Sequence, residues 1–303
     1  ISGGFAYGYQ STTSSAKAVA AVAQTAGVLG NVAAAATQGV KASGFGVDTA
    51  AFTMSSSEDL GGGMTLSAAM SLGGLTRGDT PTGENFTMAL SGGFGTLLLG
   101  QIEIGSGIRG LAQAGAPVNN MEGEVLGAAT AGTDIVKYTA PKMGDFTFSG
   151  SHTEAKGLAT GMSTGQSTAV TVGVDYASGP IAAKLDSTSW SDDAAADSRY
   201  RIAASYNLGM VKVGVGRDDT TMLDSTHTKL TMFGVSAPLT ANVTVGAVSV
   251  KRDTNGVTLS GSSVGVSYAL SKRTQILADT SSWDGASAIV KDKKTTILLA
   301  HSF

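Results

Sequence analysis

Two stretches have the spacing of a serine nucleophile held on a sharp turn, Gly161-Met162-Ser163-Thr164-Gly165 and Gly261-Ser262-Ser263-Val264-Gly265. That chemistry needs the serine between a strand and a helix, with a histidine and an acid in reach. Both stretches sit in Gly/Ser-rich surroundings that generate the pattern by composition, and neither has the strand-turn-helix context. The histidines, His152, His227 and His301, are far apart and lack the close spacing of zinc ligands. With 0 Cys there is no thiolate ligand, no cysteine nucleophile and no disulfide framework. No phosphate-cradling Gly-x-x-x-x-Gly-Lys run occurs, nor a dinucleotide fingerprint between a strand and a helix. The residues therefore predict no enzyme, no metal site and no cofactor.

What remains is hydroxyls, glycines and sparse charge. Lys and Arg total 20 against 23 Asp and Glu, a formal charge of -3, which gives no electrostatic reason to bind nucleic acid. The 42 Gly, the 5 Pro and the abundance of Ser and Thr point to many short strands joined by tight turns. At 303 residues the chain could form two globular domains or one large barrel. No stretch has the run of apolar residues that a spanning helix requires; the nearest, Ala16 to Val40, holds Lys17 and several Gln and Thr. No charged-then-apolar leader precedes Ile1, which is read as an export signal already removed.

Apolar residues fall at every second position in segment after segment. Phe5, Tyr7 and Tyr9 alternate with Ala6 and Gln10. Phe52 and Met54 lead to the turn Glu58-Asp59-Leu60-Gly61-Gly62-Gly63, and Met64, Leu66, Ala68 and Met70 return. The unit recurs at Phe86, Met88 and Leu90; at Val170, Val172 and Val174; at Tyr200, Ile202 and Ala204; at Leu230 and Met232; and at Val264, Val266 and Tyr268. The last strand has Ile297, Leu299 and Phe303 on one face, with Thr296, Ala300 and Ser302 on the other. About sixteen strands result, with short turns alternating with polar loops such as Ser191 to Asp197 and Asp218 to Thr226, the pattern of an outer-membrane barrel.

The second face decides between that barrel and a soluble sandwich. A sandwich turns polar, charge-rich faces to water, and 14% charged residues would coat it thinly. Here the second face is mostly Ser, Thr, Gly and Ala, which suits a water-filled lumen with no core to fill. Tyr7, Tyr9, Tyr138, Tyr176, Trp190, Tyr200, Tyr206, Tyr268 and Trp283 are read as interfacial girdles near strand ends or on outward phases, although 6% aromatic is low.

Several runs carry a family likeness: Ser56-Ser57-Glu58-Asp59-Leu60-Gly61-Gly62-Gly63-Met64-Thr65-Leu66, Leu90 to Gln101, Val136-Lys137-Tyr138-Thr139-Ala140-Pro141, Ala204 to Gly209, Tyr268 to Thr274 and His301-Ser302-Phe303. In this order they resemble the Gram-negative general porins, particularly the betaproteobacterial branch, over almost the whole chain. The resemblance implies an all-β, sixteen-stranded antiparallel transmembrane barrel spanning 1–303 as one domain, with a third external loop folded into the lumen. It implies a homotrimer set among the lipid and lipopolysaccharide of the outer membrane, and a terminal Phe303 read as a barrel-end signal by barrel-assembly machinery.

The segment matching the inward loop is 102–133, and its acids match the family's constriction carboxylates: Glu122 and Glu124 first, with Glu103 beside them. The wall departs from the family. Where arginines are common, this chain has Ala51 and Ser55, Glu84 and Asn85, Gln101, and Thr133 and Asp134. Inward-phase cations are expected instead at Lys184, Arg199, Arg201 and Lys212, with Lys229 also a candidate, while Lys137 falls on the phase of Ile135 and is read as facing away. The second departure is an Ala-rich first external loop at 12–43, where Val19, Val22, Ala26, Leu29 and Ala33 have the spacing of a helix or helical hairpin. It is expected either to cap the barrel outside, or to pack into the vestibule or against the adjacent protomer and narrow access. The function expected is passive diffusion of ions and small hydrophilic solutes, with weaker anion preference than the family and a lean towards cations. A substrate-selective porin and a structural barrel with a largely closed lumen are the alternatives.

Overall fold

The computed structural model describes residues 1–16, 40–75, 81–103, 107–126, 132–155, 167–191, 196–285 and 290–303. Sixteen strands run in chain order: β1 (Ser2–Ala16), β2 (Val40–Gly61), β3 (Met64–Gly73), β4 (Thr82–Gly92), β5 (Gly95–Glu103), β6 (Gly132–Thr139), β7 (Phe146–Ala155), β8 (Thr168–Ser178), β9 (Ile181–Ser191), β10 (Ala196–Asn207), β11 (Lys212–Met222), β12 (His227–Pro238), β13 (Val243–Thr254), β14 (Val257–Ala269), β15 (Thr274–Asp284) and β16 (Val290–Ser302). Each pairs antiparallel with its sequence neighbours, and β1 pairs with β16, so the sheet closes and leaves no edge. Two short helices, α1 (Arg109–Ala112) and α2 (Met121–Leu126), lie between β5 and β6. No helix among the described residues is long and apolar enough to cross a membrane; the strands do so.

Closure is made at the chain ends. Gly3 and Phe303 exchange backbone hydrogen bonds of 3.1 Å each way, and the Phe303 ring stacks on Phe5 with centroids 5.3 Å apart. The Phe303 ring lies over Gly3, where a Cβ would stand 2.7 Å from it. At one end of the barrel the strands join by tight turns. At the other end β13 and β14 are also joined tightly, by Asn255 (φ 51) and Gly256 (φ 80), the doubly positive geometry that favours Asn-Gly in hairpins.

Pairing register assigns every side chain to one wall. The outer wall carries a belt of exposed apolar residues on all sides, among them Phe5, Tyr7, Met70, Val136, Phe148, Val172, Ile202, Val215, Phe233, Val264 and Leu299. Such a belt is stable only against lipid. The Ala-rich segment, in which helical spacing was read, falls mainly at 17–39 and outside the described residues. The strands reach further than the loop boundaries expected from sequence: β1 and β2 pair Ser14 with Val40, and the polar stretch from Asp218 is strand as far as Met222.

The inner wall is not uniformly polar. Leu230 and Met232, which the alternation suggested for the lipid face, point inward and are buried, as are Val248, Val250 and Leu259. Trp283 is also buried on the inner side. Trp190 lines the lumen with Arg199 over its ring at 5.0 Å, so neither tryptophan belongs to an outer girdle. The reason is that a segment of chain occupies the lumen and needs an apolar seat.

Candidate functional site in the barrel lumen

The segment between β5 and β6, described over 107–126, folds into the barrel and lies along the inner wall of β9 to β15. Ile108, Ala112, Ala116, Met121 and Val125 face the wall and are buried against Ala203, Leu230, Met232, Val248, Val250, Leu259 and Trp283. A hydrophobic core thus exists inside a water-filled barrel, confined to one arc.

Between these apolar wall residues runs a track of glycines on four consecutive strands. A Cβ on Gly214 would stand 2.2 Å from the Leu111 carbonyl oxygen, on Gly234 2.3 Å from that of Ala112, and on Gly265 2.0 Å from that of Pro117. At Gly246 it would stand 2.4 Å from the Ala116 Cβ, and at Gly261 2.6 Å from the Met121 Cε. The loop backbone therefore rests on the wall backbone, which only glycine permits. Polar contacts fix the register: Ser236 Oγ donates to the Ala114 carbonyl at 2.6 Å. Arg252 Nη1 donates to the carbonyls of Val125 and Leu126 at 3.0 and 3.2 Å. Those carbonyls end α2, where a cation is electrostatically favoured.

The acids expected at the constriction have different placements. Glu122 is fully buried, and its carboxylate accepts the Arg109 backbone N–H at 3.0 Å, so it holds the loop's own fold. Glu124 is half-buried and accepts from Asn119 Nδ2 at 2.9 Å. Glu103 ends β5, its backbone N–H bonded to Asn85 Oδ1 at 2.8 Å.

The expected cations divide in the same way. Arg199 and Arg201 point inward on β10, Arg201 bonding Asp186 through Nε at 2.7 Å and Arg199 approaching Asp218 at 4.0 Å. Lys184 is also inward, on β9. With Arg199, Arg201, Thr171 and Thr188 it lines a recess of about 530 Å³ beneath Gly107 and Gly110, which Glu103 flanks. Lys212 is inward but at the turn end of β11, eight residues from the Thr220 that partners Arg199, so it stands apart from the others. Two phase readings are corrected. Lys229 faces outward, because Leu230 must face the inner loop, and Lys229 is the register partner of Asp219 and Asp253. Lys137 shares the recess with Ile135, since the inward phase of β6 is the phase of Ile135, buried under the loop entrance.

The arc facing the loop is different in kind. By register, β1 to β5 present Gln10, Thr12, Thr53, Ser71 and Thr87 inward. The one basic residue among the described residues of these strands is Lys41, and it is on the outward phase of Tyr9 and Phe45. Sequence reasoning found the missing arginines and missed the glycine track. The signal available was glycine recurring on the phase opposite the apolar residues in four successive strands.

A closed barrel with an apolar belt outside, a polar lumen inside and one loop folded against its inner wall is a transmembrane diffusion channel. The chain belongs to the Gram-negative porin family, whose model matches residues 3–283. Among solved structures, an anion-selective porin from Comamonas acidovorans superposes with a TM-score of 0.69 at 18% identity, over 100% of both chains. OmpT, an outer-membrane protein of Vibrio cholerae in its trimer form, superposes at 0.63 with 12% identity over 100% of both. A triple mutant of the Rhodopseudomonas blastica porin superposes at 0.60 with 10% identity, again over 100% of both. A search of curated proteins gives no match. Likeness at these identities establishes the fold, and membership of the family establishes a passive channel in the outer membrane.

Proposed function

We propose that the chain is a weakly selective general diffusion pore, in which ions and small hydrophilic solutes pass between the docked loop and the β1 to β5 arc. The observation that carries this is the composition of that arc, which offers hydroxyls, an amide and no inward cation among the described residues. On the loop side Arg199 and Arg201 are held beside Asp218 and Asp186, and Glu122 is turned into the loop. On the docked loop the exposed Arg109 and the half-buried Glu124 are opposite in sign, and screening over about 8 to 10 Å at ordinary salt leaves distant charges without effect there. Glu124 on the acidic side, with Lys137 and Lys184 on the basic side, are the constriction charges in this reading. The expected result in a planar bilayer is large ohmic steps with a reversal potential near zero under a salt gradient. A strong anion preference overturns it.

A substrate-selective pore is favoured by one observation, the recess of about 530 Å³ where Lys137 and Lys184 stand without an ion partner among the described residues. Block of the chloride current by a small carboxylate, relieved in Lys137→Gln/Lys184→Gln, distinguishes this reading from free diffusion. No covalent chemistry is proposed in either. By analogy with the trimer form of the Vibrio protein we further propose a homotrimer, bounded by lipid and lipopolysaccharide. Phe303 is proposed as the end that barrel-assembly machinery reads. Deleting Phe303 should lower outer-membrane yield while refolded protein keeps its unit conductance.

A further inference from the structure

We infer that two patches of opposite charge on the outer wall join neighbouring copies of this chain, an inference that rests on the trimeric reading above. The first patch is acidic. Asp134 on β6 and Glu154 on β7 are direct register partners on the outward phase of Val136 and His152, near the loop ends of their strands. Of the two, Glu154 has a partner within its own strand, His152 Nε2 at 3.2 Å. Two carboxylates placed side by side repel each other. On an outer wall they would also repel the anionic headgroups of the outer leaflet, so a cationic surface is the favourable cover.

The chain itself carries such a surface. Lys41 on β2, Thr13 on β1 and Lys293 on β16 are consecutive register partners on the outward phase, also near the loop ends. Lys291 stands two residues further along β16, 3.9 Å from Asp284. In a closed threefold ring each copy meets its two neighbours through two different edges of its wall, so those edges must be unlike and complementary. The two patches meet this condition, being opposite in charge and lying on the two flanks of the wall with β3 to β5 between them. The arc between them, β3 to β5, would then face the threefold axis with outward Ala68, Met70, Met88 and Leu99, bearing no cation. Two other outward cations differ, because Arg217 is 3.7 Å from Asp219 and Lys229 is flanked in register by Asp219 and Asp253, so both are answered within the same copy. Lys251 on β13, by contrast, has Thr231 and Ser260 as its register partners and lies on the far side of the barrel from β3 to β5.

The test uses the purified full-length protein in detergent, with trimer survival followed by size exclusion and by heat series on semi-native gels. Asp134→Lys/Glu154→Lys and Lys41→Glu/Lys293→Glu should each leave the trimer roughly three- to tenfold more dissociated at the wild-type midpoint. The combined four-residue swap should restore it, which only direct contact between the patches produces. The neutral pair Asp134→Asn/Glu154→Gln should weaken it less and remove part of the salt sensitivity. No effect of either reversal, or a swap as fragile as the single reversals, overturns the inference. So does the pattern in which only the lysine reversal matters and added lipopolysaccharide compensates it, which assigns those lysines to lipid headgroups. Single-channel conductance measured on the same preparations reports separately on the diffusion-pore reading.

Discussion

At the scale of the residue, the lumen is shaped by side chains that are missing. Gly234 and Gly265 each lie against a loop carbonyl that a Cβ would approach to 2.3 and 2.0 Å. Gly234→Ala should therefore cost about 1–3 kcal/mol of barrel stability by overpacking and push the loop towards the opposite wall, lowering conductance. Gly44→Ala, where nothing lies within 4 Å of the new Cβ, is the matched control and should change neither. Thermal unfolding followed by circular dichroism and unit conductance are the two readouts. Arg252 acts oppositely, since it donates to two carbonyls at the end of α2. Arg252→Met keeps the stem and removes the donors, leaving buried acceptors unsatisfied at a cost of about 1–3 kcal/mol. The expected signature is added open-channel current noise, and a quiet channel with wild-type stability would refute it.

At the scale of the element, the strands were legible and the inner loop was not. Period-two alternation reads strands well because each residue's wall follows from parity, and the closing strand's Ile297, Leu299 and Phe303 do lie on the outer wall. The same parity failed for Leu230, Met232 and Trp283, which are apolar and inward. A lumen that holds a docked segment needs an apolar seat, and local alternation has no knowledge of a loop more than a hundred residues away. The missing family arginines were legible in β1 to β5 because absence of charge needs no geometry. The burial of Glu122 was not, because it depends on the loop turning back so that Arg109 N–H meets it. The seat predicts how the loop is held. Met121 is fully buried between the loop and β14, and Met121→Ala should cost about 2–5 kcal/mol if the wall cannot collapse onto the vacancy. Because the barrel closes through strand pairing and not through this contact, the loss should appear as faster proteolytic cutting within 107–126 while the barrel stays folded. Simultaneous loss of strand signal would show that the loop core and the sheet unfold as one unit.

At the scale of the whole molecule, the charge pattern separates two tasks that a porin wall performs. The outer wall is apolar where it meets lipid and charged near the loop ends, while among the described residues the lumen carries cations on β6, β9, β10, β11, β13 and β16 and none on β1 to β5. Selectivity of a wide pore depends on unbalanced charge within a screening length of the narrow zone, so a neutral arc gives a weak field whatever the net charge of the chain. Thr53 and Ser71 are register partners on the inward phase of β2 and β3, across the lumen from the docked loop. Placing cations there, as Thr53→Arg/Ser71→Arg, sets two positive charges facing the loop side and should raise the chloride-to-potassium permeability ratio by about tenfold, with a smaller unit conductance. The shift should shrink as salt rises towards 1 M, where the screening length falls to about 3 Å. If the double variant keeps the wild-type reversal potential at 0.1 M salt, permeating ions do not pass along this arc. The conducting path would then have to run through the recess of Lys137 and Lys184 instead.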